Sequence, residues 1–195
     1  MELASQSLDL IIEQEVIAED QARIWIKQLT LALNHMHTTH RICHGDIKTR
    51  NVLVVLNDAK FKGFRYAKIL KNNTHLKASQ RYGTIKYYAP EMTMAHENYD
   101  PMKSDVWAMG ILLYKMLNCD FPFKWPYKGI RDNEGMKLFV DSQLAGPKHR
   151  TEVLLKLSKD VQDFNKKCFD PNPDTRLNTQ QMLDHPWLRD CQLPD

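Results

Sequence analysis

The stretch CHGDIKTRNVLVVL, residues 43–56, decides the fold. It places a histidine, an aspartate, a lysine and an asparagine within eight positions, as His44, Asp46, Lys48 and Asn51. The apolar run at 52–56 that follows is typical of a buried strand. Polar groups next to a core strand either cap a turn, as Asp and Asn do by bonding to nearby backbone, or carry out chemistry. This stretch alone leaves both interpretations open.

Size and composition narrow the class of protein. The chain has 195 residues and a mass of 22.9 kDa, which favours one domain over residues 1–195. Its net charge of +3 gives no reason to expect a nucleic-acid partner. The four cysteines form no CxxC pair and follow no secretory signal, and the most apolar segment, 111–117, is far shorter than the ~20 residues of a membrane span. We therefore expect a cytoplasmic or nuclear protein without membrane contact.

Apolar periodicity predicts an α+β fold in which helices dominate. Helical spacing runs from 19 to about 37, and 102–117 is apolar on almost every side, as a helix inside a domain would be. Strands at 52–56 and 60–64 are expected to form a small hairpin around a turn at Asn57–Asp58. The remaining elements are a long irregular segment at 65–90 and weaker helical patterns at 134–144, 157–169 and 178–188.

Four motifs resemble, in order and spacing, the C-terminal lobe of eukaryotic protein kinases. They are HGDIKTRN at 44–51, APE at 89–91, SDVWAMG at 104–110 and PDTRLNTQQMLDHPWL at 173–188. Lys48 and Thr84 are similar to the serine/threonine type, and the chain as a whole resembles the calmodulin-dependent group with its testis-specific members. The resemblance implies a kinase-like C-lobe that begins at the hinge and lacks the N-lobe.

The resemblance also implies a role for each polar residue of the loop. Asp46 would accept the proton of a substrate hydroxyl, Lys48 would screen the γ-phosphate of ATP, and Thr84 would tie these two together. Asn51 would hold a magnesium ion. Three scaffold features are implied as well: His44 packed under the loop, Asp105 bonded to the loop backbone, and an ion pair between Glu91 and Arg176. ATP would touch Met1 and Leu3 from the hinge and Leu53 from below.

Three departures from the family pattern oppose catalysis. The magnesium-binding Asp-Phe-Gly, expected in the second hairpin strand, reads Gly63-Phe64-Arg65, so its carboxylate is missing. Gly45 replaces the arginine that grips an activation-loop phosphate, and Gln80 stands where the phosphorylated residue would be. The N-lobe, with its glycine-rich loop and lysine, is not found.

Two further patterns admit a functional and a plain interpretation. The histidine-rich run at 35–44 invites a zinc site, but it lacks structural zinc spacing and is more simply a helix end with a loop. Between 59 and 90 there are eight lysines and arginines and no acid. This basic segment, 60–86, is either a solvated loop or a docking surface for an acidic or phosphorylated segment of a protein partner.

The sequence thus favours an inactive kinase-like fragment, a pseudokinase, that acts by binding protein. The alternative is an active serine/threonine protein kinase that transfers the ATP γ-phosphate to protein substrates and whose N-lobe is missing from this chain. ATP and magnesium are expected only through the family resemblance, because Gly63 leaves the metal with Asn51 alone.

Overall fold

The helices and strands follow the order expected from the sequence. The computed structural model describes residues 6–70, 75–77, 81–93, 98–126, 133–148 and 156–194. The described residues form eight α-helices: α1 (Leu8–Gln14), α2 (Glu19–Thr39), α3 (Pro90–Thr93), α4 (Pro101–Asn118), α5 (Asn133–Leu144), α6 (Lys159–Cys168), α7 (Thr179–Asp184) and α8 (Pro186–Arg189). They also form seven short strands: β1 (Gln6–Ser7), β2 (Ile42–Cys43), β3 (Val52–Val55), β4 (Asp58–Phe61), β5 (Lys68–Ile69), β6 (Leu76–Lys77) and β7 (Asn98–Tyr99).

Helix α4 runs through the centre of the fold. Asp100 caps its start by accepting a hydrogen bond from Met102 N at 2.8 Å, and Pro101 suits the first helical position, where a missing N–H costs nothing. Nearly every residue of the helix is buried, as its apolar sequence predicts. The ring of Trp107 is fully buried and stacks on Phe123, with centroids 5.1 Å apart. Helix α4 therefore supplies the core on which the rest packs.

Gly110 lets helix α6 approach helix α4 closely. A Cβ at this position would lie 2.9 Å from both Cys168 Cβ and a ring carbon of Phe169. The approach is fixed by a buried hydrogen bond in which Asn165 Nδ2 donates to Gly110 O at 2.9 Å. Packing therefore requires the glycine. Its backbone conformation does not, because it is an ordinary helical one.

The hairpin is present, but its turn is one residue earlier than predicted. Strands β3 and β4 pair antiparallel with Val55 opposite Asp58, so Asp58 belongs to a strand and the turn is formed by Leu56 and Asn57. Both turn residues have positive φ, 48° and 74°, which is the backbone of the tight hairpin turn that matches strand twist. Strand β1 joins on the other side of β3 to give a three-stranded sheet.

Three further expectations need correction. Gly63 does not lie in the second hairpin strand, because β4 ends at Phe61. The irregular segment 65–90 contains short strands, of which β5 pairs with β2 and β6 with β7. The helical pattern at 178–188 is split into α7 and α8, because the residue before Pro186 is driven out of the helical backbone region.

The described residues confirm a mixed fold in which helices dominate and the sheets are small. Met1, Leu3 and Gln80 lie outside the described residues. The absence of an N-lobe stays a prediction, which the N-terminal mass of the native protein would test. Of the helices in the described ranges, none combines the length and the apolar character of a membrane span.

The close contact at Gly110 predicts a cost for any side chain there. Gly110→Ala would push a methyl group into the Cβ of Cys168, so we expect the free energy of unfolding to fall by about 1–3 kcal/mol. Urea unfolding followed by tryptophan fluorescence measures this change. An alanine variant as stable as the parent chain would show that helices α4 and α6 can separate freely, against the packing described here.

Candidate active site

The carboxylate of Asp105 holds the loop that follows strand β2. Its Oδ2 accepts a hydrogen bond from His44 N at 2.7 Å, and its Oδ1 accepts one from Gly45 N at 3.0 Å. The ring of His37, from helix α2, contacts Oδ2 at 3.0 Å. Asp105 is only 3% exposed, so these partners replace the water that the charge has lost. One side chain thus joins helices α4 and α2 to the loop.

His44 supports the loop from inside. It is fully buried between the rings of Phe61 and Phe64, with centroids 5.1 and 5.0 Å away. Its Nδ1 accepts a hydrogen bond from Asp46 N at 3.2 Å, so the proton lies on Nε2, which donates to Lys62 O at 3.2 Å. The side chain thereby links Asp46 to the chain segment that carries Gly63.

Asp46, Lys48 and Thr84 form a closed triangle of contacts. Lys48 Nζ lies 2.7 Å from Asp46 Oδ2 and donates to Thr84 Oγ1 at 2.9 Å. The Thr84 hydroxyl donates in turn to Asp46 Oδ1 at 3.0 Å. Because Thr84 is 38 residues from Asp46 along the chain, only the fold brings the three together. An aspartate held in this way can accept a proton from a hydroxyl that approaches it.

The Asn51 amide is turned toward Asp46. Its Nδ2 donates to Asp46 O at 2.8 Å and to Asp46 Oδ2 at 2.9 Å. Both oxygens of the Asp46 carboxylate therefore have protein partners, from Thr84 on one oxygen and from Lys48 and Asn51 on the other. The Oδ1 of Asn51 is the one atom of its side chain that could bind a metal ion, because the other polar atom is the NH₂ nitrogen.

Gly63 faces Asn51 across the cleft. Its backbone is left-handed, with φ 81° and ψ 41°. A Cβ at this position would lie 2.7 Å from both Cγ and Oδ1 of Asn51, so the asparagine side chain occupies the room that a side chain at 63 would need. The two neighbouring cations of the segment, Lys62 and Arg65, are exposed.

Gly45 also has a left-handed backbone, with φ 75°. A Cβ there would lie 2.8 Å from Tyr66 O. In the space beyond Gly45 the rings of Tyr66 and Tyr82 stack with centroids 5.5 Å apart, and Lys68 Nζ lies 4.2 Å from the Tyr82 ring centre. The cavity that these residues border has a volume of about 30 Å³, which is room for a single water.

Comparison with known proteins gives the family. A sequence model described as the protein kinase domain matches residues 1–188. The chain belongs to the protein kinase family. The first and the last of the four motifs, 44–51 and 173–188, both lie inside the range that the kinase-domain model matches.

The relatives are serine/threonine kinases. The chain is 29% identical over 187 residues to serine/threonine-protein kinase 17A of Oryctolagus cuniculus, covering 93% of this chain and 44% of that protein. It is 30% identical over 191 residues to human testis-specific serine/threonine-protein kinase 3, covering 96% and 66% respectively, and 30% identical over 185 residues to the kinase SAPK7 of Oryza sativa subsp. japonica, covering 92% and 48%. The chain thus spans about half the length of most of these relatives.

The kinase scaffold is present in the described residues. Arg176 donates to both carboxylate oxygens of Glu91, at 2.7 and 2.8 Å, and both side chains are buried. This is the ion pair that the sequence indicated, and the arginine also lies over the ring of Trp107, 5.0 Å from its centre. Protein kinase domains in general use ATP with magnesium. Gly63 stands where the resemblance places a metal-binding carboxylate.

The residues expected to touch a nucleotide are placed only in part. Leu53 is half-buried in strand β3, between Ser7 of β1 and Lys60 of β4. Asn51 lies two residues earlier, beside Asp46. With Met1 and Leu3 outside the described residues, the roles of all four toward ATP stay predictions, as do the catalytic roles of Asp46, Lys48 and Thr84.

Two features of the site were not found from the sequence. Asp9, in the unpredicted helix α1, accepts hydrogen bonds from Thr49 Oγ1 at 2.5 Å and Arg50 Nε at 2.9 Å, and lies 3.8 Å from Lys115 Nζ. Burial raises the pKa of Asp9, but these three partners lower it below its usual value overall. The second feature is the setting of Lys86, whose ammonium lies 4.9 Å from the ring centre of Phe121 and 5.1 Å from that of Trp125.

The histidine-rich run is explained by contacts within the chain. His37 contacts Asp105 and His44 contacts Lys62 O, which gives both a structural partner. The exposed His35 and His40 face each other, with 3.1 Å between their Nε2 atoms. Within the described ranges, the His, Cys, Asp and Glu side chains form no group of three that could hold a metal ion.

The three donors around Asp105 predict a large effect of removing its charge. In Asp105→Asn, one oxygen becomes an NH₂ group that faces N–H donors, so at least one charge-assisted hydrogen bond is lost. We expect the free energy of unfolding to fall by about 2–3 kcal/mol. Thermal or urea unfolding measures it. Asp20→Asn, at an exposed position of helix α2, is the matched control, and equal stability losses in the two variants would contradict this role of Asp105.

Proposed function

We propose that the chain is a catalytically deficient member of the protein kinase family that acts by binding another protein. The observation that carries the proposal is the pair Gly63 and Asn51. Glycine replaces the carboxylate that the family uses for magnesium, and the Asn51 side chain fills the place where a side chain at 63 would begin. The scaffold that holds the loop in place is independent of both residues, because it rests on Asp105 and on the Glu91–Arg176 ion pair.

The remaining side chains do not fit a magnesium ion well. Magnesium prefers near-octahedral oxygen coordination with one or two carboxylates. On this side of the cleft the described residues offer only Asn51 Oδ1 and the Asp46 carboxylate, whose two oxygens already have partners. The exposed cations Lys62 and Arg65 flank Gly63–Phe64 and disfavour a divalent cation there. Without the metal, the negative charge on the ATP phosphates is not neutralised efficiently during phosphoryl transfer.

A second candidate function is phosphoryl transfer to serine or threonine of protein substrates. The triangle of Asp46, Lys48 and Thr84 favours it, because its distances are those of a working proton acceptor held by a lysine and a hydroxyl. The serine/threonine kinases among the relatives also favour it. The two candidates differ in whether Asp46 has any chemical task in this protein.

The partner proposed for the binding function is a protein with an acidic or phosphorylated segment. The basic segment 60–86 supports this, because its sequence contains eight lysines and arginines and no aspartate or glutamate. Nucleic acid and membrane are not proposed as partners. The site of action is proposed to be the cytoplasm or nucleus, which localisation of a tagged protein would test.

Comparison with an Asp46 variant tests the main proposal. Phosphate transfer from radiolabelled ATP with magnesium, to casein or to a basic protein, should be equal for the 195-residue chain and for Asp46→Ala. The reason is that the carboxylate at 46 has no transfer step to assist if the metal is not held. Activity that disappears in Asp46→Ala would overturn the proposal and support the second candidate.

Restoring the missing carboxylate should not restore metal binding. Gly63→Asp brings its Cβ against Asn51 and adds left-handed backbone strain, so we expect a loss of about 2 kcal/mol in the free energy of unfolding and no magnesium-dependent stabilisation by ATP. Gly146→Asp is the matched control, because Gly146 has a similar φ of 88° and nothing within 4 Å of an added Cβ. That variant should lose about 1 kcal/mol from strain alone.

Thermal unfolding with and without magnesium and ATP measures both effects. A Gly63→Asp protein that is no less stable than Gly146→Asp would show that Asn51 moves aside at no cost. A magnesium-dependent rise in the melting temperature of Gly63→Asp would show that one carboxylate is enough to rebuild the metal site. The first result would contradict the role given to Asn51, and the second would contradict the expectation that a restored carboxylate cannot bind the metal, which would leave the glycine at 63 as the sole cause of the deficiency.

A further inference from the structure

An open cavity lies beside the segment that carries Thr84. It has a volume of about 340 Å³, in the range of cavities that hold ligands. Among the residues that the structure describes, its lining combines three lysines with four aromatic residues and a single acid: Lys86, Lys124 and Lys148, then Tyr114, Phe121, Phe123 and Trp125, and Asp120. None of these residues belongs to the triangle around Asp46.

Lys86 is the central cation of this cavity. Its ammonium lies 4.9 Å from the ring centre of Phe121 and 5.1 Å from that of Trp125. Within the described part of the chain, no carboxylate makes a salt bridge with it. Contacts with aromatic rings hold a cation in place while leaving its charge uncompensated. Lys86 is therefore fixed and able to take an anionic partner.

Further cations lie close to Lys86. Lys115 Nζ is 4.4 Å from the same Phe121 ring. Burial lowers the pKa of Lys115, Asp9 opposes this, and the charges of Lys86 and Arg50 lower the pKa further, so Lys115 is close enough to both cations to be repelled by them. The nearby carboxylate of Asp9 is already shared among Thr49, Arg50 and Lys115.

The remaining acids near the cavity do not neutralise it. Asp120 lines the cavity, where its Oδ1 accepts a hydrogen bond from Phe121 N at 2.8 Å. Glu13 raises the pKa of Lys115 less than Asp9 does. Three lysines against one acid leave the lining with an excess of positive charge.

The cavity adjoins the candidate active site. Thr84 bonds directly to Asp46, and Lys86 follows two residues later. Two residues span at most about 7 Å, so a polypeptide whose hydroxyl reaches Asp46 has its neighbouring residues within reach of Lys86. The location suits a peptide better than a free small anion, because the aromatic walls add apolar contact area.

We propose that this cavity binds the aspartate or glutamate side chain of an extended acidic segment of a partner protein. The inference rests on the proposed function in that it takes the ligand to be protein. The ligand group is taken to be a carboxylate, the anion that an unmodified polypeptide carries; the lysines of the described lining attract carboxylate and phosphate alike as point charges, and the peptide comparison below separates the two. The lysines select by charge, and the aromatic rings accommodate the stem of the side chain.

Fluorescence anisotropy with labelled peptides tests the inference on the 195-residue chain. The probe is a serine peptide flanked by glutamates, compared with its glutamine counterpart and its phosphoserine counterpart, without ATP or magnesium. The glutamate peptide should bind, and Lys86→Glu and Lys124→Glu should each weaken it about five- to tenfold. Lys159→Glu is the matched control, because Lys159 is an exposed lysine of helix α6, outside both the cavity and the basic segment 60–86, and it should change the affinity less than twofold.

The outcomes separate this inference from its competitors. Lys86→Arg should bind like the parent chain, and unchanged unfolding curves for Lys124→Glu exclude misfolding as the cause of a loss. No binding of the glutamate peptide, equal binding of the glutamine peptide, tighter binding of the phosphoserine peptide, or an equal loss in Lys159→Glu would each overturn the inference. Phosphate transfer that depends on Asp46 would overturn the proposed function while leaving a preference for glutamate intact.

Discussion

The buried carboxylate of Asp105 is the constraint on which the site depends. A charge that is 3% exposed is tolerated only when hydrogen-bond donors surround it, and two of the donors here are backbone N–H groups of His44 and Gly45. The carboxylate therefore orders the loop through its backbone, whatever side chains the loop carries. The position of Asp46 follows from a residue 59 positions further along the chain, in the central helix, and not from any ligand.

Because the loop is held through its backbone, its side chains can change, and the chemistry with them, while the fold stays the same. The residues that depart from the family pattern, Gly45 and Gly63, both have left-handed backbones. Glycine adopts that backbone without the strain that a side chain brings, so replacing an arginine or an aspartate there relieves the backbone while it removes a functional group. If these glycines stand in place of a phosphate receptor and a metal ligand, as proposed, that replacement costs the fold little. The scaffold motifs, in contrast, are buried and paired, as Glu91 and Arg176 show.

The sequence could predict those parts of the structure that rest on motif spacing or on strong periodicity. The central helix, helix α2 and the meeting of Asp46 with Thr84 are of this kind. It could not predict that Asn51 turns its amide toward Asp46, because the Asn51 side chain occupies the room that Gly63, which has no side chain, leaves for it. The hairpin turn was misplaced because Leu56 is not a residue that favours a positive φ, and the register of β3 on β4 decides the turn instead.

The distribution of cations is the part of the site that only tertiary structure reveals. In the sequence, Lys86 is one of eight similar charges between 59 and 90, whereas in the fold it is the one among the described cations of that segment that lies against Phe121 and Trp125, near the triangle at Asp46. A magnesium ion attracts anions and also directs them by coordination geometry, while a lysine offers a point charge on a flexible stem. A domain without the magnesium ion but with the lysine can still bind acidic polypeptides at the same edge of the cleft. Attraction by a fixed charge needs neither a nucleotide nor a metal.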